Sequence, residues 1–527
     1  MGAPLRILEI SPSFDPAHAF GGPIVSTRDL CRALAADGAC EIRVLTTDAA
    51  SPTRAARLAV PAGWHRHPAG FLIRYCRWAL PPDLSPGLLV ALVPALRWAE
   101  AVHLNGVYSF TTPATLLLAR LFGRPVLWSP RGGLMDPGHG GRRVKRLWDR
   151  ACGLLADRRR CLVLATGPGE ADSARRRLPG FKVAELPNGV DGPAEPPAWA
   201  PPPDGVTRLL YLGRLHPNKA VDRLIEALAL TRHPARLTIH GEGGHRPALE
   251  ALVARLGLGG RVRFQGFLPP AERSAALAAH DALALPSHGE NFGMVVAEAL
   301  AHGRPAIAST GTPWAGLEAH GCGAWVANDP PALAAAIDAL AGADIEAMGR
   351  RGHDWMTRTH SWDSIARRFR DLAEDMVRPP ARIGVIASVG GHLTEVRALA
   401  PAFAHLPHFY VLNDRVALPD DLAGRTHFIA HAERDWRVLL NVWELWRIFR
   451  RERPDILLST GAGPAVPAAI VGRLLFGCRV IFVETVTRIE RPSLTARLIR
   501  PFADHLLVQW PALTRHLPGS RHAGRLL

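Results

Sequence analysis

A short apolar run, a turn and then a longer stretch of helical period recur along this chain, in three successive series. No other feature restricts the fold as much. Such alternation is the mark of βαβ units, which build parallel sheets covered by helices. The first series predicts a strand over 5–10, a Gly21-Gly22-Pro23 loop, a helix over 26–36, and strands over 42–46, 101–104 and 125–129. The second opens with a strand over 208–212 and continues with a helix over 221–230 and strands over 236–240, 262–265, 282–285 and 305–308. The third opens at 382–387 with the loop SVGGH behind it, and its further strands fall at 409–412, 456–459, 480–483 and 505–509. Proline-rich breaks separate the series: GPAEPPAWAPPPDG at 192–205 and VRPPA at 377–381. Proline favours extended, semi-rigid linkers. The expected class is α/β, in three domains at 1–191, 206–376 and 382–527.

Three domains also suit 527 residues at roughly 100–200 residues each. The formal net charge is +16, carried almost wholly by arginine, since Lys145, Lys182 and Lys219 are the three lysines. We read this as a coding bias with a solvated basic surface, able to gather anionic donors or lipid headgroups. No zinc-finger spacing or aromatic RNA-binding signature is present, so nucleic acid is not an expected partner. Seven scattered cysteines without a CxxC pair suit reduced thiols in the cytosol. The amino terminus runs straight into a strand, without a secretory signal. The apolar run at 84–96 is too short to span a bilayer and is broken by Pro86, Gly87 and Pro94. Any membrane contact is expected to be peripheral.

Four stretches carry chemistry. In PSHGENFGMVVAEALAHGRPAIAS, at 286–309, Glu290 precedes a helix and Glu298 lies within it. The amino end of that helix offers free N–H groups to a phosphate or to sugar hydroxyls, and Gly293 allows close approach. At continuous helical rise the two carboxylates are about 12 Å apart, too far for an acid–base pair on one glycosidic bond. The separation suits one carboxylate on a sugar and the other on a ribose. In LLYLGRLHPNKAVDRLIEAL, at 209–228, Arg214 and Lys219 follow a strand ending at Gly213, where two cations can hold a departing diphosphate. HGEGG at 240–244 is as consistent with a tight turn as with a ligand loop. FGGP at 20–23 can face a phosphate across a cleft or be an ordinary loop.

Together these stretches resemble the retaining GT-B glycosyltransferases of family 4, also called group 1, over residues 5–375. The resemblance implies two Rossmann-like lobes. Glu290 and Glu298 match the family's E-x7-E element, and Gly213, Arg214 and Lys219 its G-R-x4-K element. LPNGVD at 186–191 matches its lobe-crossing segment. The implied roles are Glu298 on the ribose and Glu290 with the backbone of Asn291, Phe292, Gly293 and Met294 on the donor sugar. Arg214 and Lys219 would hold the diphosphate, and Gly22 would allow the acceptor lobe to close. No metal and no cofactor are implied; the nucleotide-sugar is a substrate. The segment HLNG departs from the family's H-x-H-G: His103 is present, but Asn105 stands where the second histidine would be. Asparagine can bond a sugar hydroxyl but does not titrate near neutral pH. His103 is an acceptor-side candidate or a core residue. Arg131, in SPRGGLMDPG at 129–138, is a candidate acceptor or phosphate contact.

The third domain carries SVGGHLTEV at 388–396, STGAGPAVPAA at 459–469, VETVTRIERPSLTARL at 483–498 and ADHLLVQWP at 503–511. These resemble the Alg14-like family, including PssD-type proteins of exopolysaccharide synthesis. The resemblance implies the acceptor-side half of a split transferase, with an Alg13-like or PssE-type partner subunit. Gly390, Gly391 and His392 could meet a lipid-linked pyrophosphate, and Glu484 could face the acceptor cleft; a structural role for each is equally consistent. The stretch 434–455, with Trp436, Leu439, Leu440, Trp443 and Ile448 near helical spacing and late arginines, reads as a core helix or an interfacial one. The combined expectation is a cytoplasmic transferase, peripheral on the inner face of the plasma membrane. It would move a sugar from a nucleotide-sugar to a polyprenyl-linked glycan. A GT-B phosphorylase, a sugar-phosphate synthase and a non-catalytic scaffold are the alternatives.

Overall fold

The computed structural model describes residues 3–51, 56–79, 84–135, 142–413, 422, 424–430, 437–461 and 463–526; the side chains of 142 and 437–439 lie outside that description. The chain forms two compact units, Met1–Val377 and Arg378–Leu527. Among the described residues the first unit contains sheets of eight and six strands, and the second a sheet of seven. Pairing is parallel except at the outer pair Trp64–Arg66 and Leu72–Cys76. The strands are apolar along most of their length because helices cover both faces, as in the wholly buried Cys161–Ala165.

In the first sheet Leu5–Ile10 lies between Cys40–Thr47 and Ala101–Asn105. In the second, Thr207–Leu212 lies between Ala235–His240 and Ala282–Leu285. In the third, Ile383–Ala387 lies between His408–Leu412 and Ile456–Ser459. At each of these places the strand order reverses, and open α/β sheets bind ligands outside the carboxyl ends of the strands there.

The helix Gly22–Ala36 begins four residues before the expected start at 26, because Pro23 supplies a preset helical φ in its first turn. It shares a core with the helix Trp362–Val377 through Leu30, Leu34, Ile365 and Phe369, on one face of the first sheet. The helices Pro86–Trp98, Thr111–Leu121 and Arg142–Leu155 cover the other face. The expected domain 206–376 therefore does not end in the second lobe. Its last helix returns to the first, where its apolar stripe is buried. The chain crosses between lobes twice at adjacent points: Val190 N–H donates to the His360 carbonyl at 2.7 Å, and Val190 pairs with Ser361.

The stretch 192–205 is not a free spacer. Arg304, 2% exposed, donates to the carbonyls of Pro197 at 3.2 Å and Ala198 at 3.4 Å. The Trp199 indole donates to Asp281 at 2.8 Å. The linker is thereby bound along the second lobe.

In the second unit the helix Arg437–Glu452 buries Leu445 and Phe449 in the core and exposes Trp443, with Arg447 over its ring at 4.7 Å. Trp436 and the side chain of Leu439 lie outside the described residues. No helix among the described residues is long and apolar enough to cross a membrane.

Candidate active site

At the reversal point of the second sheet, two loops meet. The loop after Thr207–Leu212 carries Arg214 and Lys219; the loop after Ala282–Leu285 carries Glu290. The Lys219 ammonium is ion-paired with Glu290, and Ser287 Oγ donates to the same carboxylate oxygen at 2.7 Å. Asn218 Nδ2 donates to the Gly289 carbonyl at 3.1 Å, fixing one loop to the other. Arg214 is exposed and has no ion pair among the described residues. Gly293 caps the helix Met294–Ala301 at φ 81°; a side chain there would press on Leu285 and Trp314. Left-handed backbone of this kind favours glycine. Inside the helix, Glu298 Oε1 accepts from Arg273 at 2.9 Å, and the buried Oε2 has no partner among the described residues.

Residues 291–294 divide between tasks. Phe292 is buried against Trp314, ring centroids 5.2 Å apart, and its carbonyl accepts from the Trp314 indole at 2.6 Å. The Asn291 carbonyl accepts from Thr166 Oγ1 of the first lobe at 3.4 Å. Its amide, oriented to satisfy its neighbours, reaches Glu170 at 3.2 Å and Gly132 N at 3.3 Å. The Asn291 side chain thus joins the lobes.

The HGEGG stretch packs against the phosphate-side loop. A Cβ on Gly241 would lie 1.8 Å from the Gly213 carbonyl oxygen, and one on Gly243 2.2 Å from that of Leu215. Leu215 N–H donates to the Glu242 carbonyl at 2.9 Å. Gly244 and Gly22, by contrast, border open space, where a ligand can approach the backbone.

In the first lobe the candidates form a buried polar network. His103 is 1% exposed, with Nδ1 bonded to Glu9 at 2.5 Å and Nε2 to Ser129 at 2.9 Å. Both ring nitrogens are occupied, so the acceptor-side reading of His103 is corrected to a core residue. Asn105 is also buried; its amide donates to Glu9 and its carbonyl accepts from Arg131 Nε at 2.8 Å. It orients Arg131 and does not reach a sugar. Arg131 donates further to Asn188 at 2.7 Å, and burial, opposed by Glu9 and Glu170, lowers its pKa. Its φ of 53° is a strained conformation for a side chain of this size, held by Gly132 N–H donating to Glu170.

In the second unit Gly390, at φ 104°, caps the helix Gly391–Ala398, and neither glycine has anything near its Cβ position. The His392 ring lies against Gly461, and its Nδ1 is buried without a partner among the described residues. Glu484 is 1% exposed; one oxygen accepts from Thr485 N–H at 3.0 Å, the other from Ser493 N–H at 2.8 Å and Oγ at 2.9 Å. It clasps its own loop, which corrects its placement in the acceptor cleft. Glu395 accepts from Thr485 Oγ1 at 2.7 Å and Val486 N–H at 3.1 Å, and its second oxygen is buried without a partner among the described residues.

Residues 21–189 match the family of glycosyl transferase 4-like domains, 206–342 the glycosyl transferases group 1, and 436–526 the Alg14-like oligosaccharide biosynthesis proteins. The chain is a group 1 glycosyltransferase joined to an Alg14-like domain. The Alg14-like part is 26% identical over 198 residues to the rat UDP-N-acetylglucosamine transferase subunit ALG14, covering 31% of this chain and 92% of that protein. The transferase part is 35% identical over 281 residues to the D-inositol 3-phosphate glycosyltransferase of Geodermatophilus obscurus, covering 47% of this chain and 56% of that protein. In structure it resembles Anabaena HepE in complex with UDP, at TM-score 0.55, 18% identity and 71% and 100% coverage of the two chains. It also resembles sucrose-phosphate synthase from Thermosynechococcus elongatus, at TM-score 0.52, 21% identity and 71% and 99% coverage. At such identities these neighbours show the fold, which is GT-B.

Sequence reasoning on this glycosyltransferase missed Glu9 and Glu170, each 1% exposed. The available signals were an acid inside the apolar run LRILEI and an acid in the first turn of the helix Pro168–Arg177. It likewise passed over Glu395 within SVGGHLTEV of the Alg14-like unit.

Proposed function

We propose that the first unit transfers a sugar from a nucleotide-sugar to a polyprenyl-linked glycan in exopolysaccharide or capsule synthesis, with retention of configuration and without a metal ion. The observation that carries this reading is the convergence of Arg214, Lys219, Glu290 and the amino end of Met294–Ala301 at one strand-reversal point. As the sugar–phosphate bond breaks, negative charge develops on the diphosphate; Arg214 and Lys219 are placed to neutralise it. Glu290, steadied by Ser287, orients the donor sugar through its hydroxyls. The buried oxygen of Glu298 that lacks a partner among the described residues receives a ribose hydroxyl. The acceptor hydroxyl attacks on the face the diphosphate leaves, and a phosphate oxygen takes its proton. Gly22, on the acceptor lobe with open space at its Cβ position, lets that lobe close over the diphosphate.

The Alg14-like unit completes a second transferase with an Alg13-like subunit, and both work at the inner face of the plasma membrane. Its likeness to a named transferase subunit supports this, as do the open Gly390-Gly391 turn and the buried His392 nitrogen, unpartnered among the described residues.

The test is transfer from a panel of nucleotide-sugars to a lipid-linked acceptor, in chelator, with the anomer of the product assigned by NMR. Retention without loss of rate is expected. An inverted product, or a rate abolished by chelator and restored by a divalent ion, overturns the assignment.

A further inference from the structure

The first unit leaves an apolar ridge in solvent. The helix Thr111–Leu121 exposes Leu117 and Leu121; the helix Arg142–Leu155 exposes Val144 at 73%, Leu147 at 68% and Leu154 at 71%. At helical period, 144, 147, 151 and 154 form one stripe. The sheet-facing side of the same helix is a different one. There the Trp148 indole donates to the Val107 carbonyl at 2.7 Å, Asp149 accepts from Arg177 Nε at 2.9 Å, and Cys152 is in the core. The apolar stripe therefore has no packing role among the described residues. Arg120 donates to the Leu154 carbonyl at 2.9 Å, which ties the ends of the two helices together.

Arg143, Arg146 and Arg150 are all exposed and fall one turn apart along the border of the stripe. The single acidic residue of this helix, Asp149, is turned inward onto Arg177. Among the described residues of this helix the outer face is thus apolar and cationic. That combination fits acyl chains beside anionic headgroups, with side chains entering the boundary layer and guanidinium groups on phosphate. The helix follows the strand Val126–Ser129, so in a parallel sheet it starts at the carboxyl-end edge, where substrates enter.

We propose that this face docks the transferase unit on an anionic lipid bilayer, presenting the edge of its cleft to a lipid-tethered acceptor. The proposal rests on the reading of a lipid-linked acceptor, but it is tested by binding alone, so loss of either leaves the other readable.

All seven cysteines are buried, so a cysteine placed at 147 can be labelled selectively. An environment-sensitive fluorophore on Leu147→Cys should shift to the blue with phosphatidylglycerol–phosphatidylcholine vesicles and not with phosphatidylcholine alone. The same label on Arg255→Cys, exposed on the other lobe, should not shift. Arg143→Gln with Arg150→Gln should weaken the titration by about fivefold per arginine, with salt doing the same to wild type. Leu147→Ser with Leu154→Ser, at unchanged melting temperature, should reduce vesicle flotation. No blue shift at 147 overturns the proposal. So does unchanged flotation of both double variants, or a monomer in place of a dimer as their sole effect, which assigns the face to a second copy of the chain.

Discussion

Lys219 is held by a carboxylate, so a diphosphate must compete with Glu290 for it. Lys219→Ala and Arg214→Ala should each reduce kcat/KM by about a hundredfold or more, the scale of losing one oriented donor at the transition state. Steady-state rates on a fixed donor check this, and a loss below tenfold in both removes the diphosphate role. Glu298 has one paired oxygen and one buried oxygen without a partner among the described residues, and its predicted consequence is separate. Glu298→Gln should weaken free nucleoside diphosphate by at least about tenfold, read by calorimetry, because a bond to a charged group is worth about 1.5–3 kcal/mol. These four residues are legible in the sequence because each sits in one of two contiguous stretches with fixed offsets. Glu9 and Glu170 are not, since nothing local announces that Glu9 meets a histidine 94 residues away. His360 gives a pH prediction. Burial, with Arg368 and His320 nearby, pushes its imidazole from the usual 6.5 down to about 4. The fold keeps it neutral while the unfolded chain takes a proton, so stability falls as pH drops from about 6.5 towards 4. The loss is at most about 1.4 kcal/mol per pH unit. His360→Phe should flatten that part of the melting curve against pH; a wild-type slope in the variant excludes His360 as its source.

The glycines of HGEGG differ in what they do, and the difference lies between elements. Gly241 and Gly243 allow two loops to touch backbone to backbone, whereas Gly244 faces open space. Gly243→Ala should cost at least about 2 kcal/mol in a denaturant titration, an overpacking cost that no flexible side chain can relieve. Gly244→Ala should leave stability within about 0.5 kcal/mol. Equal costs would mean that the loop contact is not what the glycines serve. The sequence leaves the motif open between a turn and a ligand loop because its partner, Gly213–Leu215, lies in another stretch. The expected strands are found because period and burial agree, while Leu72–Cys76, Cys161–Ala165 and Lys182–Glu185 go unread. Proline content marks 192–205 as a stiff boundary segment but does not say what it lies on, because Arg304 and Asp281, which bind it, lie about a hundred residues on. The helix Trp362–Val377 is placed with the wrong lobe for the same reason: its amphipathic stripe shows that it packs, and says nothing of where.

At the scale of the molecule, 1–377 and 378–527 hold separate cores, so deleting the second unit should leave the first folded and able to bind nucleotide. Co-expression of the full chain with an Alg13-like subunit should yield a complex that the deletion abolishes; retention by the truncated chain would place the partner elsewhere. The returning helix Trp362–Val377 has one more consequence. Because the chain leaves the second lobe at His360 and the first unit closes on the first lobe, the second lobe is an insertion whose two joints lie side by side. The covalent lead to the Alg14-like unit therefore departs from the first lobe, and the second lobe is tethered to the chain only through its own two neighbouring joints.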